Sequence, residues 1–94
     1  MPPIQQVLEA ISDPTRRKIL DLLKKGELTA GELGAHFEIS GPSMSHHLNK
    51  LKAADLVQTT RQGQSIVYSI NTSVFDDAAQ FVIDFFQDKR EAKK

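Results

Sequence analysis

Apolar residues recur at helical spacing at the start of the chain. The first set lies at i, i+3, i+4 and i+7, which is one face of a short helix, and comprises Ile4, Val7, Leu8 and Ile11. Asp13 and Pro14 then favour the start of a second helix, because aspartate is a good N-cap and proline lacks the N–H that has no partner in the first turn. That second helix is predicted to end near Gly26.

Two further helices are predicted after Gly26, separated by a tight break. Thr29 and Glu32 have the spacing of a capping box, so a short third helix is expected to begin there and to end by about Glu38. Ser40 is the next candidate N-cap. The helix that follows it is predicted to run to about residue 54, with apolar residues at i, i+4 and i+7: Met44, Leu48 and Leu51.

The pattern changes to strands and then returns to a helix. Residues 57–61 and 65–71 are rich in β-branched residues and predict two strands, joined as a hairpin by Arg61–Gln64. The second strand alternates, so we expect one of its faces to be buried, the alternating apolar set being Ile66, Tyr68 and Ile70. A last helix is predicted over about residues 73–89.

Two helices joined by a short turn and followed by a hairpin make a winged helix-turn-helix. We therefore predict an α+β fold with about five helices and a two-stranded β-hairpin wing, in a single domain over residues 1–94. The helix-turn-helix covers residues 29–54 and the wing covers residues 57–71. Residues 4–11 and 73–89 are predicted to be the dimerisation helices.

Composition narrows the class of protein. The 94 residues include 12 Lys+Arg and 12 Asp+Glu, so the formal charge is zero and any affinity for nucleic acid must come from a local patch. The chain has no cysteine, which excludes disulfides and a thiolate zinc site. No apolar run approaches the roughly 20 residues of a membrane helix, and the N-terminus does not resemble a signal peptide. We expect a cytoplasmic protein.

The outer face of the predicted fourth helix has the chemistry of a DNA reader. It carries no carboxylate, whereas an ordinary solvated helix face usually does. Asparagine pairs bidentately with adenine and serine can serve several bases, so the predicted base-facing residues are Pro42, Ser43, Ser45, His46 and Asn49. Residues 41–71 carry a net positive charge, because they contain three basic residues and one acidic residue: Lys50, Lys52 and Arg61, and Asp55. The predicted phosphate or wing contacts are Arg16, Arg17, Thr29, Lys50, Arg61, Gln62 and Gln64.

Several segments together resemble the ArsR-type winged-helix repressors. Residues 11–23 (ISDPTRRKILDLL) resemble the opening signature of that family, and residues 43–48 (SMSHHL) its recognition helix. Residues 54–57 (ADLV) resemble the exit from that helix, with Asp55 where glycine is more usual. The resemblance covers about residues 4–71, and its further matches are Thr29, Glu32, Leu33, Gly63 and Tyr68.

This resemblance carries expectations of function. It implies a homodimer that represses transcription by binding a palindromic operator in double-stranded DNA. The chain is especially similar to a small cysteine-free branch of autorepressors within the family. That likeness leaves open a regulatory protein partner, in the membrane or elsewhere, that removes the repressor from DNA.

Many repressors of this family sense metals, and this chain lacks both of the family's well-known site types. One uses cysteine in the third helix, and there is none here. The other pairs aspartate with histidine in the last helix, which here holds Asp76, Asp77, Asp84 and Asp88 but no histidine. We expect neither a metal nor another cofactor. An unrecognised site remains an alternative, and would involve His36, His46 or His47, although a structural hydrogen bond or packing role is favoured for His47.

The last helix has more apolar surface than its own domain needs. Its apolar positions span about 200° of the circumference, whereas one packed face needs only about 100° or a little more. All of them could pack within one subunit, but the excess width favours a second copy as partner. The predicted dimer interface comprises Ile4, Val7, Leu8, Phe75, Ala78, Val82, Phe85 and Phe86.

Enzymatic function is not expected. The sequence has no nucleophile–base set, no Gly-rich phosphate loop and no carboxylate pair with a plausible cleft. We therefore predict no small-molecule substrate, and double-stranded DNA and a second copy as partners. The main rival is a winged-helix protein-interaction module that does not bind DNA. The uncharged-to-basic face over residues 42–50 favours DNA over that rival.

Overall fold

Five helices and three short strands follow one another in the order that a winged helix requires. The computed structural model describes the backbone of residues 2–91 and the side chains of residues 2–87. The elements are α1 Ile4–Ile11, α2 Pro14–Leu23, β1 Leu28–Thr29, α3 Ala30–Gly34, α4 Gly41–Ala53, β2 Val57–Gln62, β3 Ser65–Ile70 and α5 Thr72–Glu91.

The helix starts predicted from the sequence are confirmed by their caps. The Asp13 carboxylate accepts the backbone N–H of Arg16 at 3.0 Å, and Pro14 occupies the first position of α2. The Thr29 hydroxyl accepts the N–H of Glu32 at 3.1 Å, while the Glu32 carboxylate accepts the N–H of Thr29 at 2.9 Å. This reciprocal pair is the predicted capping box, and it satisfies two donors that the first turn of α3 leaves without partners.

The third helix is shorter than predicted. It ends at Gly34 rather than near Glu38. His36 donates its backbone N–H to the carbonyl of Leu33 at 3.0 Å, and Phe37 donates to Gly34 at 3.1 Å. Each of these bonds joins residues three positions apart instead of four, so the α-helix ends and the chain continues as a tighter turn.

The fourth helix begins and ends close to the predicted residues. The Ser40 hydroxyl accepts the N–H of Ser43 at 3.2 Å, which confirms Ser40 as the N-cap. At the other end the chain leaves α4 through Asp55, whose φ of 55° is in the left-handed region. Glycine adopts this conformation without steric cost, whereas aspartate, which has a Cβ, adopts it at a cost.

The sheet has three strands, so the two-stranded prediction is incomplete. The strand order is β1-β3-β2, and both pairings are antiparallel. In the pairing that was not predicted, Leu28 lies opposite Tyr68 and Thr29 opposite Val67. A strand of two residues shows no alternation, and its partner lies far away along the chain. The predicted hairpin is present, with Gly63 at φ 62° in its turn.

Burial within β3 differs from the predicted alternation. Tyr68 and Ile70 are half-buried and pack against the core, but Ile66 is 45% exposed. Val67, on the opposite face, is buried instead. The reason is position along the hairpin. Ile66 lies near the tip, whereas Val67 lies where β3 is flanked by strands on both sides, opposite Thr29 and Thr60.

A single core joins the helices to the base of the wing. Its largest fully buried side chains come from each of the first four helices and from the segment before β2: Val7, Ile19, Leu33, Leu51 and Leu56. Val74 and Ala78 bring the first half of α5 into the same core. Within the part of the chain that the structure describes, none of the helices combines the length and apolarity needed to span a bilayer.

Candidate nucleic-acid interface

The helix α4 has one buried and one exposed face. Met44, Leu48 and Leu51 are buried in the core. The five residues predicted to face bases are all exposed: Pro42, Ser43, Ser45, His46 and Asn49. No carboxylate occurs anywhere along α4, and its last turn carries Lys50 and Lys52. The exposed face can therefore approach a polyanion without like-charge repulsion, and it offers hydrogen-bonding groups of the kind that read base edges.

The wing tip presents a cation beside an apolar side chain. Arg61, Gln62 and Gln64 are exposed, as predicted for groups that contact DNA at the wing. The Nε of Arg61 donates to the carbonyl of Gly63 at 3.3 Å, which ties the side chain to the turn. Arg61 lies directly across the ladder from Ile66. Both side chains point to one face of the hairpin, so that face combines positive charge with apolar surface.

The guanidinium groups of Arg16 and Arg17 make hydrogen bonds to other groups of the same chain. The guanidinium of Arg16 donates from Nε to the carbonyl of Ala10 at 2.7 Å and from Nη2 to the carbonyl of Glu9 at 3.2 Å. Its Nη1 lies 3.1 Å from Nδ1 of His47. Arg17 donates from Nη1 to the carbonyl of Ile11 at 2.9 Å and is exposed. The phosphate contacts predicted for these two residues stay predictions.

Asp13, Arg16 and His47 form a polar cluster between α2 and α4. The Asp13 carboxylate lies 3.8 Å from Nδ1 of His47, and both side chains are partly buried. The backbone N–H of Arg16 lowers the pKa of Asp13 below its ordinary 3.8, and the positive charge of Arg16 lowers it further, while partial burial opposes both effects. The structural hydrogen bond favoured for His47 is present, but its partner Arg16 lies 31 residues away and could not be identified from spacing.

Thr29 also has a structural role in this arrangement. Its hydroxyl oxygen caps α3, and its backbone pairs with β3. It is half-buried, so it offers less surface to DNA than the wing residues do. A phosphate contact from Thr29 stays a prediction.

The eight predicted dimer residues divide into two groups. Val7 and Ala78 belong to the protomer's own core, and Ile4 and Phe75 are half-buried against it. The other four are exposed: Leu8, Val82, Phe85 and Phe86. Phe85 and Phe86 are 55% and 58% exposed, and Phe81 and Ile83 add to the same surface. The two uses of α5 are thus divided along its length, since Val74, Phe75 and Ala78 pack on the core and the side chains of residues 81–87 are exposed.

An apolar groove lies between α1 and α5 next to that surface. It has a volume of about 160 Å³, and its lining is almost entirely apolar. Leu8 and Ile11 contribute from α1, while Phe75, Ala79 and Val82 contribute from α5. The groove and the exposed end of α5 form what we call the α1/α5 surface, defined by Leu8, Ile11, Phe75, Ala79, Phe81, Val82, Ile83, Phe85 and Phe86.

The histidines do not gather with acids into a chelating group. Among the residues that the structure describes, no set of three or more histidine or acidic side chains is placed to hold a metal ion. The rings of His46 and His47 lie edge to face with their centroids 5.8 Å apart. Adjacent residues on a helix point about 100° apart, which is poor geometry for chelating one ion.

Comparisons with known proteins agree with this architecture. Residues 13–59 match the model of the family described as "Bacterial regulatory protein, arsR family". The transcriptional repressor SdpR of Bacillus subtilis (strain 168) is 55% identical over 82 residues, which cover 87% of this chain and 91% of that protein. The arsenical resistance operon repressor of Staphylococcus aureus is 40% identical over 77 residues, which cover 82% of this chain and 74% of that protein.

The fold has a solved counterpart as well. The crystal structure of an ArsR family transcriptional regulator superimposes with a TM-score of 0.86 at 27% identity, covering 97% of this chain and 93% of that one. These relatives are transcriptional regulators rather than enzymes, which confirms the non-enzymatic prediction. The cysteine-free composition and the similarity to SdpR confirm the branch predicted from the sequence. The chain belongs to the ArsR family of winged helix-turn-helix transcriptional repressors.

Proposed function

We propose that two copies of this chain repress transcription by binding a near-palindromic operator through α4 and the wing. The observation that carries the proposal is the exposed face of α4, which lacks carboxylates and is rigidly backed by a buried core. In a twofold dimer the two recognition helices enter successive major grooves, roughly 34 Å apart. Because its proposed partner is double-stranded DNA, we propose that the protein acts in the cytoplasm.

The proposed contacts fall into two classes. Base edges are read by the exposed residues of α4, with His46 and Asn49 as the main readers and Pro42, Ser43 and Ser45 around them. Phosphates and the adjacent minor groove are contacted by Lys50 and by the wing residues Arg61, Gln62 and Gln64. Arg17 and Thr29 are secondary candidates for phosphate. The phosphate contact predicted for Arg16 is the least favoured of these, because all three of its guanidinium nitrogens already have hydrogen-bond partners within the chain.

The proposed dimer forms through the α1/α5 surface. Exposed apolar patches of this kind are uncommon on monomers and usually mark interaction sites. Phe85 and Phe86 are the proposed anchors, since large aromatic side chains contribute most to such interfaces. A regulatory protein that competes for this surface would be a second partner, and it would release the repressor from DNA by separating the dimer.

We further propose that repression does not depend on an ArsR-type metal site. The chain has no cysteine for the site in the third helix and no histidine in the last helix. Carboxylates alone are poor ligands for zinc compared with imidazole and thiolate. A site built from His36, His46 or His47 is the alternative that a metal titration tests.

A gel shift with the DNA upstream of the protein's own gene tests the proposal most directly. We expect a discrete complex that unlabelled upstream DNA removes and random DNA of equal length does not. The experiment uses one fixed salt concentration, because protein–DNA affinity falls steeply with salt. Absence of any complex would favour the alternative of a winged-helix protein-interaction module.

A further inference from the structure

We infer that Arg16 and His47 are positioning residues that fix the recognition helix α4 for base reading. Arg16 lies near the start of α2 and His47 lies on α4. The functional part of this inference rests on the proposed DNA binding, whereas the bond between the two side chains does not. Neither residue needs to touch DNA for this role.

Arg16 is anchored at the end of α1. Its Nε and Nη2 donate to the carbonyls of Ala10 and Glu9, at 2.7 and 3.2 Å. The last four carbonyls of a helix have no partners within it and carry partial negative charge, so a guanidinium is well suited to that place. The backbone N–H of Arg16 is held as well, by the Asp13 carboxylate at 3.0 Å. These hydrogen bonds hold the guanidinium in place, so the position of its third nitrogen, Nη1, is fixed.

The third nitrogen of the Arg16 guanidinium, Nη1, determines which ring nitrogen of His47 carries the proton. A guanidinium donates hydrogen bonds and cannot accept them, so Nδ1 of His47, at 3.1 Å from Nη1, must be the acceptor. The imidazole is then neutral, with its proton on Nε2. The Asp13 carboxylate is 3.8 Å from the same Nδ1, which is too long for a hydrogen bond. The alternative, a protonated Nδ1 that donates to Asp13, would place two donors face to face at 3.1 Å.

The bond fixes what apolar packing alone leaves adjustable. Met44, Leu48 and Leu51 hold α4 against the core, but apolar contacts are not directional. A directional bond from α2 sets the rotation of α4 about its own axis, and the edge-to-face contact between the two histidine rings extends this restraint to His46. Base edges demand aligned hydrogen bonds, whereas phosphate contacts tolerate misalignment. Loss of the bond should therefore reduce discrimination between sequences more than it reduces affinity for DNA in general.

The first test measures the tautomer of His47 by ¹⁵N NMR of the intact protein. We expect the chemical shifts of a neutral ring with the proton on Nε2. A ring protonated on Nδ1 at neutral pH, or rapid exchange between the tautomers, would overturn the inference. This test needs no DNA, so it decides the bond even if the proposed DNA binding fails.

The second test compares two variants of His47. Asparagine can place its side-chain oxygen near the position of Nδ1, so His47→Asn keeps an acceptor for Arg16, whereas His47→Leu removes it. We expect His47→Leu to lower the ratio of operator to random-DNA affinity about tenfold, and His47→Asn to keep it within about threefold. His36→Leu, which changes an exposed histidine outside α4, is the matched control and should leave the ratio unchanged.

The third test separates positioning from phosphate contact at Arg16. Arg16→Lys keeps the charge but cannot hold two carbonyls and an imidazole at once. A positioning role predicts a lower ratio of operator to random-DNA affinity with an unchanged slope of affinity against salt. A phosphate role predicts weaker binding to all DNA and a shallower slope, and that result would overturn the inference. Thermal unfolding of each variant identifies any that do not fold. If His47→Leu does not fold, the result for Arg16→Lys decides whether the inference holds.

Discussion

The backbone N–H of Leu56 donates to the carbonyl of Leu51 at 3.0 Å and closes the last turn of α4. The N–H of Asp55 donates to the carbonyl of Lys52, also at 3.0 Å. Together these bonds satisfy two carbonyls at the helix end, in the pattern that requires a left-handed residue before Leu56. Asp55 provides it, although residues with a Cβ adopt this conformation at a steric cost.

This strain predicts that Asp55→Gly is stabilising. We expect its free energy of unfolding to rise by about 0.5–1 kcal/mol, because glycine adopts a positive φ freely. Asp55→Ala is the control and should lower the free energy of unfolding, since alanine tolerates this conformation less well than aspartate. Urea unfolding at neutral pH measures both. A shift of the two variants in the same direction would contradict the explanation.

The cap at Asp13 predicts a pH dependence of stability. Its pKa is lowered on folding, chiefly by the backbone N–H of Arg16. A carboxyl group of this kind contributes stability above its unfolded pKa, near 3.8, and loses that contribution as the pH falls through the lower folded pKa. Asp13→Asn keeps a capping oxygen but cannot titrate. The wild type's advantage over this variant should therefore shrink as the pH falls below about 5.

Asp13→Ala serves as the control for that measurement. It removes the capping oxygen as well as the charge, so it should cost about 1 kcal/mol even where the wild-type carboxyl is protonated. Thermal or urea unfolding across the acid range compares the three proteins. A difference between wild type and Asp13→Asn that stays constant from neutral pH into the acid range, down to about pH 2, would show that the charge of Asp13 contributes nothing.

The parts of the fold that sequence predicted were those fixed by near neighbours. Asp13, Thr29 and Ser40 cap helices through residues three positions away, so their spacing alone identified three helix starts. The hairpin is equally local, because its turn and both strands lie within one short stretch. The exposed face of α4 could be identified for the same reason, since at 100° per residue the proposed base readers lie on the opposite side of the helix from Met44, Leu48 and Leu51.

What sequence did not predict depends on distant partners. The strand β1 is recognisable only through its pairing with Tyr68 and Val67. The bond between Arg16 and His47 likewise joins residues 31 apart. The exposure of Ile66 depends on how far the hairpin extends beyond the helices, and the division of α5 into two halves depends on where the core ends. Periodicity identifies which face of a helix or strand is apolar, but it does not show which part of its length packs against the rest of the protein.

The proposed dimer predicts that Phe86→Asp separates the protomers. Burying a carboxylate in an apolar interface is unfavourable, and Phe86 is exposed in the protomer, so its own core should be unaffected. Sedimentation at micromolar concentration should show the wild type as a dimer and the variant as a monomer, with operator binding weakened in parallel. Phe85→Asp should behave in the same way.

Ile39→Asp provides the control for this substitution. Ile39 is an exposed apolar residue in the turn before α4 and is not part of the α1/α5 surface, so sedimentation of this variant should match the wild type. A wild-type protein that sediments as a monomer would exclude the proposed dimer. Weakening of the dimer by Ile39→Asp would place the interface elsewhere.

Metal independence is the fourth prediction. Zinc or nickel at stoichiometric amounts should leave operator affinity unchanged within a few-fold, because the chain has neither of the family's two ligand sets. Gel shifts with and without a chelator measure this. A metal-induced loss of about a hundredfold, typical of a real allosteric coupling, would show a site that involves His36, His46 or His47. Substitution of each histidine in turn would then locate it.

The two classes of DNA contact predict different failures, and this is the sharpest test of the proposed interface. Lys50→Ala and Arg61→Ala each remove a charge that is proposed to contact phosphate. Binding to all sequences should weaken, and the dependence of affinity on salt should become shallower by about one ion for each phosphate that is no longer neutralised. Lys25→Ala, which removes an exposed charge from the turn after α2, is the matched control and should change neither quantity.

His46→Ala and Asn49→Ala should behave in the opposite way. Each should cost about 1–3 kcal/mol on the operator and little on random DNA, because only the operator offers the base edges that these side chains read. All affinities are measured at one salt concentration, since affinity itself varies with salt. If both variants lost operator and random-DNA affinity equally, His46 and Asn49 would be phosphate contacts, although the repressor could still use α4. If neither substitution mattered, base reading by His46 and Asn49 would be excluded, and if the wild type also bound no DNA from its own upstream region, the protein-interaction module would be the better account.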